Sequence, residues 1–271
     1  MVIRRKVRAG RPGAEGRRDR VWKSASLARN FLEGVRGGIP LAAEQVDVML
    51  RLIEARDGAV KNFADLGCGN GILARAILDR FPNARGILLD FSETMLKEAR
   101  THLGAYGARA DLVSADFGRN HWVRSVAHRA PFDVIVSGYA IHHQPDTRKR
   151  AIYREAYELL NPGGIFLNVE HVSSATRWVE SVHDELVIDS LHAFHRGKGS
   201  GKSRAEIARK HHNRRDKDAN ILAPVEAQCR WLRECGFGDV DCYIKIFELA
   251  VFGGRRPKAR ARKSGTRKEL I

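Results

Sequence analysis

The chain has 271 residues, 43% of them hydrophobic and 30% charged, with four cysteines and a formal net charge of +16. This composition supports one folded domain with a buried core and excludes a wholly disordered chain. The cysteines lack CxxC spacing, which argues against a disulfide framework and a zinc knuckle and fits a reducing compartment. No signal-peptide pattern and no apolar run of about 18 residues occurs, so we expect a cytoplasmic protein that does not enter the membrane.

Most of the positive charge lies at the two ends of the chain. Residues 1 to 24 carry nine Lys/Arg against two acids, residues 253 to 271 carry eight against one, and residues 25 to 252 retain only +2. We therefore expect basic disordered tails at 1 to 24 and 255 to 271, around a nearly neutral domain that extends to residue 254. Solvated tails are the favoured interpretation, and binding of phosphate backbones is the alternative.

From residue 41 onward, helical and short apolar segments alternate. Residues 41 to 56 predict an amphipathic helix, because apolar residues recur there at helical spacing. The alternation that follows predicts parallel strands joined by crossovers, and so an α/β fold with a doubly wound, Rossmann-like sheet. The predicted strands are 62 to 67, 84 to 90, 108 to 116, 131 to 138 and 165 to 172, and the predicted helices between them are 72 to 81, 92 to 103 and 146 to 160.

The regular alternation of predicted strands and helices ends after the fifth strand. Residues 173 to 195 predict an amphipathic helix, and residues 204 to 223 predict polar, mostly helical material. We interpret the whole segment 173 to 223 as a helical lid inserted after the fifth strand. The chain then returns to a helix and to two short strands at the sheet edge, at 223 to 237, 240 to 246 and 247 to 252.

The stretch DLGCGNG, residues 65 to 71, places an acid before three alternate glycines at a strand-to-helix turn. Dinucleotide-binding loops carry G-x-G-x-x-G, and here Ile72 stands where the third glycine belongs. A carboxylate at Asp65 would repel pyrophosphate but attract a cation. S-adenosylmethionine (SAM) carries a sulfonium and an ammonium without phosphate, and glycines let it approach the backbone closely. The loop therefore predicts a SAM site.

Two further acids end the next two predicted strands. Asp90 lies 19 residues beyond Gly71, a position from which a carboxylate accepts hydrogen bonds from ribose hydroxyls. Asp116 is followed by Phe117, so one side chain can bind the adenine amino group while the other covers a ring face. Each acid alone could instead be a helix cap or a turn former. Because parallel strands end at one rim, the three acids together favour adenosine binding.

At these residues the sequence resembles the class I SAM-dependent methyltransferases, in particular the bacterial and archaeal small-molecule group with a methyltransferase domain 25. DLGCGNG resembles their first motif, and LLD, SADF, VIVSGYAIHH and LLNPGGIFL resemble the second to the fifth. Residues 216 to 254 further resemble small-molecule enzymes near the carboxy-SAM synthase group. The family resemblance implies a seven-stranded sheet with its last strand antiparallel, an acceptor beside the fourth strand, and S-adenosylhomocysteine as product.

The matched motifs assign SAM contacts to the glycine loop, to the second and third strand ends and to the end of the fourth strand. The residues expected to bind SAM are Asp65, Gly67, Cys68, Gly69, Asn70, Gly71, Asp90, Phe91, Met95, Asp116, Phe117, Ser137 and Gly138.

Three residues after the fourth predicted strand are the candidate catalytic residues: Tyr139, His142 and His143. Methyl transfer from a sulfonium is an in-line displacement, so the protein mainly aligns the reactants and excludes water. Tyr139 offers an aromatic face to the sulfonium. Either histidine can accept a proton if the acceptor must lose one, and a polar helix cap is the alternative for the pair.

The sequence thus predicts a SAM-dependent methyltransferase acting on an O or N atom of a small-molecule acceptor. An RNA-modifying enzyme with phosphate-binding tails and a SAM-binding module without turnover are the alternatives, and no oligomeric state is predicted. Eleven histidines include no HExxH, so we expect no metal site. Four of the histidines are instead candidates for lining an acceptor pocket: His192, His195, His211 and His212.

Overall fold

The computed structural model describes residues 17 to 258. Seven strands within this range form one sheet in the order β3-β2-β1-β4-β5-β7-β6. The strands are β1 Asn62–Leu66, β2 Arg85–Asp90, β3 Ala110–Ser114, β4 Phe132–Gly138, β5 Leu160–His171, β6 Gly238–Ile246 and β7 Leu249–Arg255.

The sheet confirms the predicted α/β fold. Strands β1 to β5 pair in parallel, whereas β7 runs antiparallel to both β5 and β6. Of the two strands expected at the edge, β6 is the edge strand and β7 lies between it and β5. Because β1, β2 and β4 are parallel, their carboxyl ends at Leu66, Asp90 and Gly138 meet at one rim of the sheet.

Helices cover both faces of the sheet. Val134 and Val136 pack into one buried cluster while Ile135 between them packs into the other, as expected for a strand covered on both sides. Across residues 17 to 258, no helix combines the length and the apolar character that crossing a bilayer requires. The helices are α1 Ala25–Gly34, α2 Ala42–Glu54, α3 Ile72–Arg80, α4 Glu93–Leu103, α5 Trp122–Val126, α6 Asp146–Leu159, α7 Arg177–Gly197, α8 Arg204–His212 and α9 Val225–Glu234.

Residues 17 to 24 belong to the fold, although the charge pattern assigned them to a disordered tail. A 3-10 helix spans Arg18–Lys23, and the Trp22 ring lies 5.3 Å from the Phe31 ring of α1. Asp19 is buried and accepts a hydrogen bond from Gln144 Nε2 at 2.8 Å. The predicted tail is therefore too long, because charge counts do not show which charges are paired. Residues 1 to 16 and 259 to 271 lie outside the described residues.

The predicted lid segment forms two helices that are shorter than expected. Helix α7 begins at Arg177, where the Thr176 hydroxyl accepts the Val179 amide hydrogen bond at 3.2 Å, and α8 ends at His212. Helix α7 packs on the chain that precedes α2, since a Cβ at Gly37 would lie 2.4 Å from the Phe194 ring. Residues 17 to 40 and the two inserted helices thus lie next to each other above the sheet rim.

Candidate active site

A cavity of about 850 Å³ lies at the carboxyl ends of β1, β2 and β4. Its volume is in the range of small-molecule sites. We call the side built from residues 67 to 70, 90 to 95, 116 to 117 and 138 the glycine-loop wall. Another part of the lining, which we call the histidine wall, contains six histidines: His142, His143, His171, His183, His195 and His211.

The three loop glycines have different structural roles. Gly67, Gly69 and Gly71 all have positive φ, at 71°, 54° and 83°. A Cβ at Gly67 would lie 2.4 Å from Ala140 Cβ, and one at Gly71 would lie 2.6 Å from Leu103 Cδ1, whereas one at Gly69 would meet no atom within 4 Å. Gly67 and Gly71 are therefore required for packing, and Gly69 leaves the backbone open to a ligand.

Asp90 is fixed at the end of β2 by two backbone donors. Its carboxylate oxygens accept hydrogen bonds from the Gly69 amide at 2.9 Å and the Ser92 amide at 2.8 Å. Burial raises the pKa of Asp90 to about 6, although these amides oppose the increase. Asp90 thus lines the cavity as an oriented acceptor for hydroxyl groups, where the sequence predicted it.

Asp65 lies beneath the glycine loop rather than on the cavity wall. It is 1% exposed, and neither carboxylate oxygen has a hydrogen-bond partner of normal geometry. Burial raises the pKa of Asp65 to about 7, with only partial relief from the Ala74 amide and the Arg36 guanidinium. A buried carboxylate without a partner of its own favours a cation in the adjoining space.

Asp116 lines the cavity but is already engaged by a residue that sequence reasoning missed. Arg17 Nη1 donates to both Asp116 oxygens, at 3.0 and 2.8 Å, and the Gly118 amide donates to Oδ1 at 2.9 Å. Arg17 lies in the predicted tail, where no sequence motif indicates a contact with Asp116. To bind the adenine amino group as expected, Asp116 must accept that hydrogen bond in addition to those from Arg17 and Gly118, or in place of one of them.

Most residues expected to bind SAM line the cavity together. Those on the wall are Gly67, Cys68, Gly69, Asn70, Asp90, Phe91, Met95, Asp116, Phe117 and Gly138. Three lie behind it. Asp65 and Gly71 support the loop, and the fully buried Ser137 donates its hydroxyl to the Leu66 carbonyl at 2.8 Å.

Tyr139 lines the cavity with a strained backbone at φ 51°. Its hydroxyl donates to Gln45 Oε1 at 2.6 Å, and the Arg36 guanidinium lies 5.7 Å from the ring centroid. Burial raises the pKa of Tyr139 well above its usual range, so the hydroxyl stays protonated. The residue thus lines the cavity with its ring while its hydroxyl is bonded to Gln45.

His142 and His143 stack with ring centroids 3.9 Å apart, but they have different partners. His142 Nδ1 lies 2.6 Å from Glu170 Oε1, and the His142 amide donates to Glu170 Oε2 at 3.0 Å. His143 Nδ1 lies 3.2 Å from the Ala219 carbonyl. Burial lowers the pKa of His143 to about 3 and that of His142 well below its usual range. Both rings are neutral at physiological pH, and only His142 is paired with a carboxylate.

The histidine wall contains residues that the sequence could not bring together. Of the four histidines expected on it, His195 and His211 line the cavity, whereas His192 and His212 do not. His171 and His183 were not singled out, because they lie on β5 and α7 without a recognisable spacing.

A methyltransferase domain family model matches residues 63 to 164 of the chain. The chain is 31% identical over 206 residues to the carboxy-S-adenosyl-L-methionine synthase of Nitratiruptor sp., covering 73% of this chain and 78% of that protein. The chain belongs to the SAM-dependent methyltransferase family. The synthase of the same name from Haemophilus ducreyi is 26% identical over 229 residues, 83% of this chain and 87% of that protein.

Solved methyltransferases share the fold of this methyltransferase. An O-methyltransferase family protein from Burkholderia thailandensis superposes with a TM-score of 0.58 at 17% identity, covering 89% of this chain and 60% of that one. PigF, solved with SAH, superposes with a TM-score of 0.54 at 17% identity, over 89% of this chain and 62% of that one. This methyltransferase thus spans about three fifths of the length of both structures.

SAM is the cofactor of this methyltransferase, and the glycine-loop wall has the features that SAM requires. Gly69 opens the backbone for close approach, Asp90 offers oriented acceptor oxygens, and the buried Asp65 favours positive charge. The individual SAM-binding residues remain predictions from sequence and geometry.

Proposed function

We propose that this methyltransferase transfers the methyl group of SAM to an O or N atom of a small-molecule acceptor, with His142 as proton acceptor. The observation that carries the proposal is the buried pair of His142, which lines the cavity, and Glu170, with Nδ1 and Oε1 2.6 Å apart. An ionised Glu170 accepts the hydrogen bond from His142 Nδ1 and so leaves Nε2 as the nitrogen that takes a proton, with the Asn220 side chain as a further hydrogen-bond partner of the ring.

The roles of the residues follow from this pair. Glu170 fixes the tautomer of His142 and stabilises the imidazolium that forms when the acceptor proton reaches Nε2. Bound SAM supplies the electrophilic methyl group on its sulfonium. Residues 17 to 40 and helices α7 and α8 cover the cavity, so the protein can exclude water during the in-line displacement.

Two measurements test the proposal. Titration calorimetry with SAM should show binding, and none at tens of micromolar would contradict the SAM site. Incubation of the enzyme with methyl-labelled SAM, in parallel with a metabolite extract and with total RNA, should then give a labelled small molecule together with S-adenosylhomocysteine. Label only in RNA would contradict the small-molecule assignment, and the absence of label would favour a SAM-binding module without turnover.

Carboxylation of SAM is a second candidate, because similarity to carboxy-SAM synthases extends well beyond the matched methyltransferase domain, to 83% of this chain in one case. The same incubation distinguishes the two reactions by mass spectrometry. Methyl transfer gives S-adenosylhomocysteine, whereas carboxylation gives a SAM molecule in which a carboxyl group from a donor in the extract replaces one hydrogen, which leaves as a proton.

RNA modification is the remaining alternative, and it depends on charge at the chain ends. Those ends, residues 1 to 16 and 259 to 271, lie outside the described residues. If the two chain ends bind phosphates, deleting both ends should remove RNA affinity and its salt dependence. An unchanged salt slope after deletion would contradict that use of the tails.

A further inference from the structure

We propose that His171, His183 and Glu248 form a binding site for a divalent transition-metal ion on the histidine wall. One ligand atom from each side chain lies within 4.8 Å of the other two. Two imidazole nitrogens and one carboxylate oxygen form a set that binds Zn²⁺, Fe²⁺ or Mn²⁺ and leaves positions open for another ligand. Metal binding by these side chains does not depend on the identity of the methyl acceptor.

Three separate elements bring the ligands together. His171 is the last residue of β5, and His183 lies in α7. Glu248 lies in the two-residue turn between β6 and β7, after Phe247 at φ 52°. The Val172 amide donates to the Glu248 carbonyl at 2.8 Å and so holds the turn beside the end of β5. The fold therefore fixes the backbone of all three residues before any ion binds.

The two distances from Glu248 Oε2 to the histidine nitrogens are close to those around a single tetrahedral ion. His183 Nε2 lies 3.7 Å from Glu248 Oε2, and His171 Nε2 lies 2.6 Å from the same oxygen. Two ligands about 2.1 Å from a tetrahedral ion are about 3.4 Å apart. The first separation already matches, and the second opens by less than one ångström when the His171–Glu248 hydrogen bond is replaced by coordination.

His183 distinguishes a metal site from a purely hydrogen-bonded cluster. Its side chain is buried, with the residue 5% exposed, yet Nδ1 has no hydrogen-bond partner and the 3.7 Å contact of Nε2 is too long to be one. Burying an imidazole without partners is costly. Hydrogen bonding thus accounts for His171 and Glu248 but gives His183 Nε2 no hydrogen bond, and an ion between Nε2 and Glu248 would be a partner for that nitrogen while Nδ1 stays unpaired.

The cluster opens toward the cavity. His171 and His183 both line it, and the His142 ring centroid lies 5.6 Å from that of His171. This step rests on the proposed function: an ion here would acidify a coordinated acceptor hydroxyl beside the base. The hydroxyl proton passes to His142, the oxygen electron pair forms the bond to the methyl carbon, and the electrons of the broken carbon–sulfur bond return to sulfur.

Calorimetric titration of untagged, chelator-treated full-length protein with Zn²⁺ tests the site without any methyl acceptor. We expect one Zn²⁺ per chain, confirmed by elemental mass spectrometry after dialysis. Loss of even an outer-shell partner weakens metal sites about 10- to 100-fold, so His183→Ala and Glu248→Gln should each weaken binding at least that much. His192→Ala, which removes a half-buried histidine of the same helix outside the cluster, should bind like wild type.

Two results would overturn the site: no stoichiometric zinc binding by the wild type, or equal binding by the cluster variants and the wild type. Melting followed by circular dichroism and titration with SAM show whether each variant is folded, and Glu248→Gln keeps the shape of the side chain. Because SAM binding and methyl transfer are measured separately, failure of the metal site leaves the proposed function intact, and the reverse also holds.

Discussion

The two walls of the cavity are built from the sequence in different ways. The glycine-loop wall comes from residues 67 to 138, and each part directly follows the end of a parallel strand. The histidine wall combines residues from 142 to 211 that lie on a strand end, on helices α7 and α8 and on the segment after β4. A wall made of consecutive strand ends is encoded locally, whereas the histidine wall depends on how distant segments pack.

Replacement of His142 should have the largest effect, because it removes the proposed base on the histidine wall. General-base catalysis contributes about 10²- to 10⁴-fold, so His142→Ala should lower kcat by that factor. SAM affinity should change little, since the glycine-loop wall is intact. The measurement compares label transfer to the small molecule that the wild type labels with calorimetric SAM binding.

His143→Gln is the matched control for His142, because the two rings stack and are both neutral. It should lower kcat less than about tenfold, since His143 is bonded to the Ala219 carbonyl and has no carboxylate partner. Equal losses from the two variants would show that the pair packs the wall and that His142 is not the base.

Asp90→Ala should give the largest effect on the glycine-loop wall. A hydrogen bond to a charged group contributes about 1.5–3 kcal/mol, which corresponds to about 10- to 100-fold in SAM affinity. The turnover rate at saturating SAM should fall much less. Ser92→Ala, which keeps the backbone donor to Asp90, is the control. Unchanged affinity in Asp90→Ala would place the ribose elsewhere.

The pH dependence of SAM binding should come from the same wall. The pKa values of Asp65 and Asp90 are raised to about 7 and about 6, and a cation binds best when both are ionised. SAM affinity should therefore fall as the pH drops below about 7, by up to about tenfold per unit for each of the two carboxylates. Asp65→Asn should weaken SAM binding at pH 8. It should also remove the decrease in affinity near pH 7 and leave the decrease near pH 6. A flat profile in the wild type would contradict the electrostatic role of Asp65.

The Asp65 carboxylate should also destabilise the ligand-free protein at neutral pH. A carboxyl whose pKa is raised in the folded state binds its proton more tightly there, so stability increases as the pH falls from about 7 to about 4. Asp65→Asn should thus raise Tm at pH 8 and have little effect near pH 4. A lower Tm at pH 8 would show that the ionised carboxylate stabilises the fold.

Sequence patterns predicted the sheet because strand periodicity and crossover length are local properties. The place of Asp90 and Gly69 at the sheet rim could be predicted for the same reason, since each lies where a strand ends and a turn begins, and their contacts with SAM stay predictions. Arg17 could not be predicted, because its partner Asp116 is 99 residues away and an arginine in a basic stretch has no distinguishing pattern.

The pairing of His142 with Glu170 shows where sequence reasoning reached its limit. His142 was identified as a candidate base from its place after β4, but Glu170 reaches it only because β4 and β5 are neighbouring parallel strands. Predicting that His183 and Glu248 lie together would have required the packing of α7 and of the hairpin formed by β6 and β7. Periodicity predicts the elements, and only their packing brings such side chains together.

The smallest expected effects distinguish the two uses of glycine within one loop. Gly69→Ala and Gly71→Ala both place a side chain at positive φ, which costs about 1–2 kcal/mol. Gly71→Ala should lose further stability, because its Cβ meets Leu103, while Gly69→Ala should lose SAM affinity, because its Cβ enters the cavity. Thermal melting and calorimetry on both variants separate these outcomes. If Gly71→Ala weakened SAM binding more than Gly69→Ala, the ligand would not approach the loop at Gly69, and the assignment of this wall to SAM would have to move.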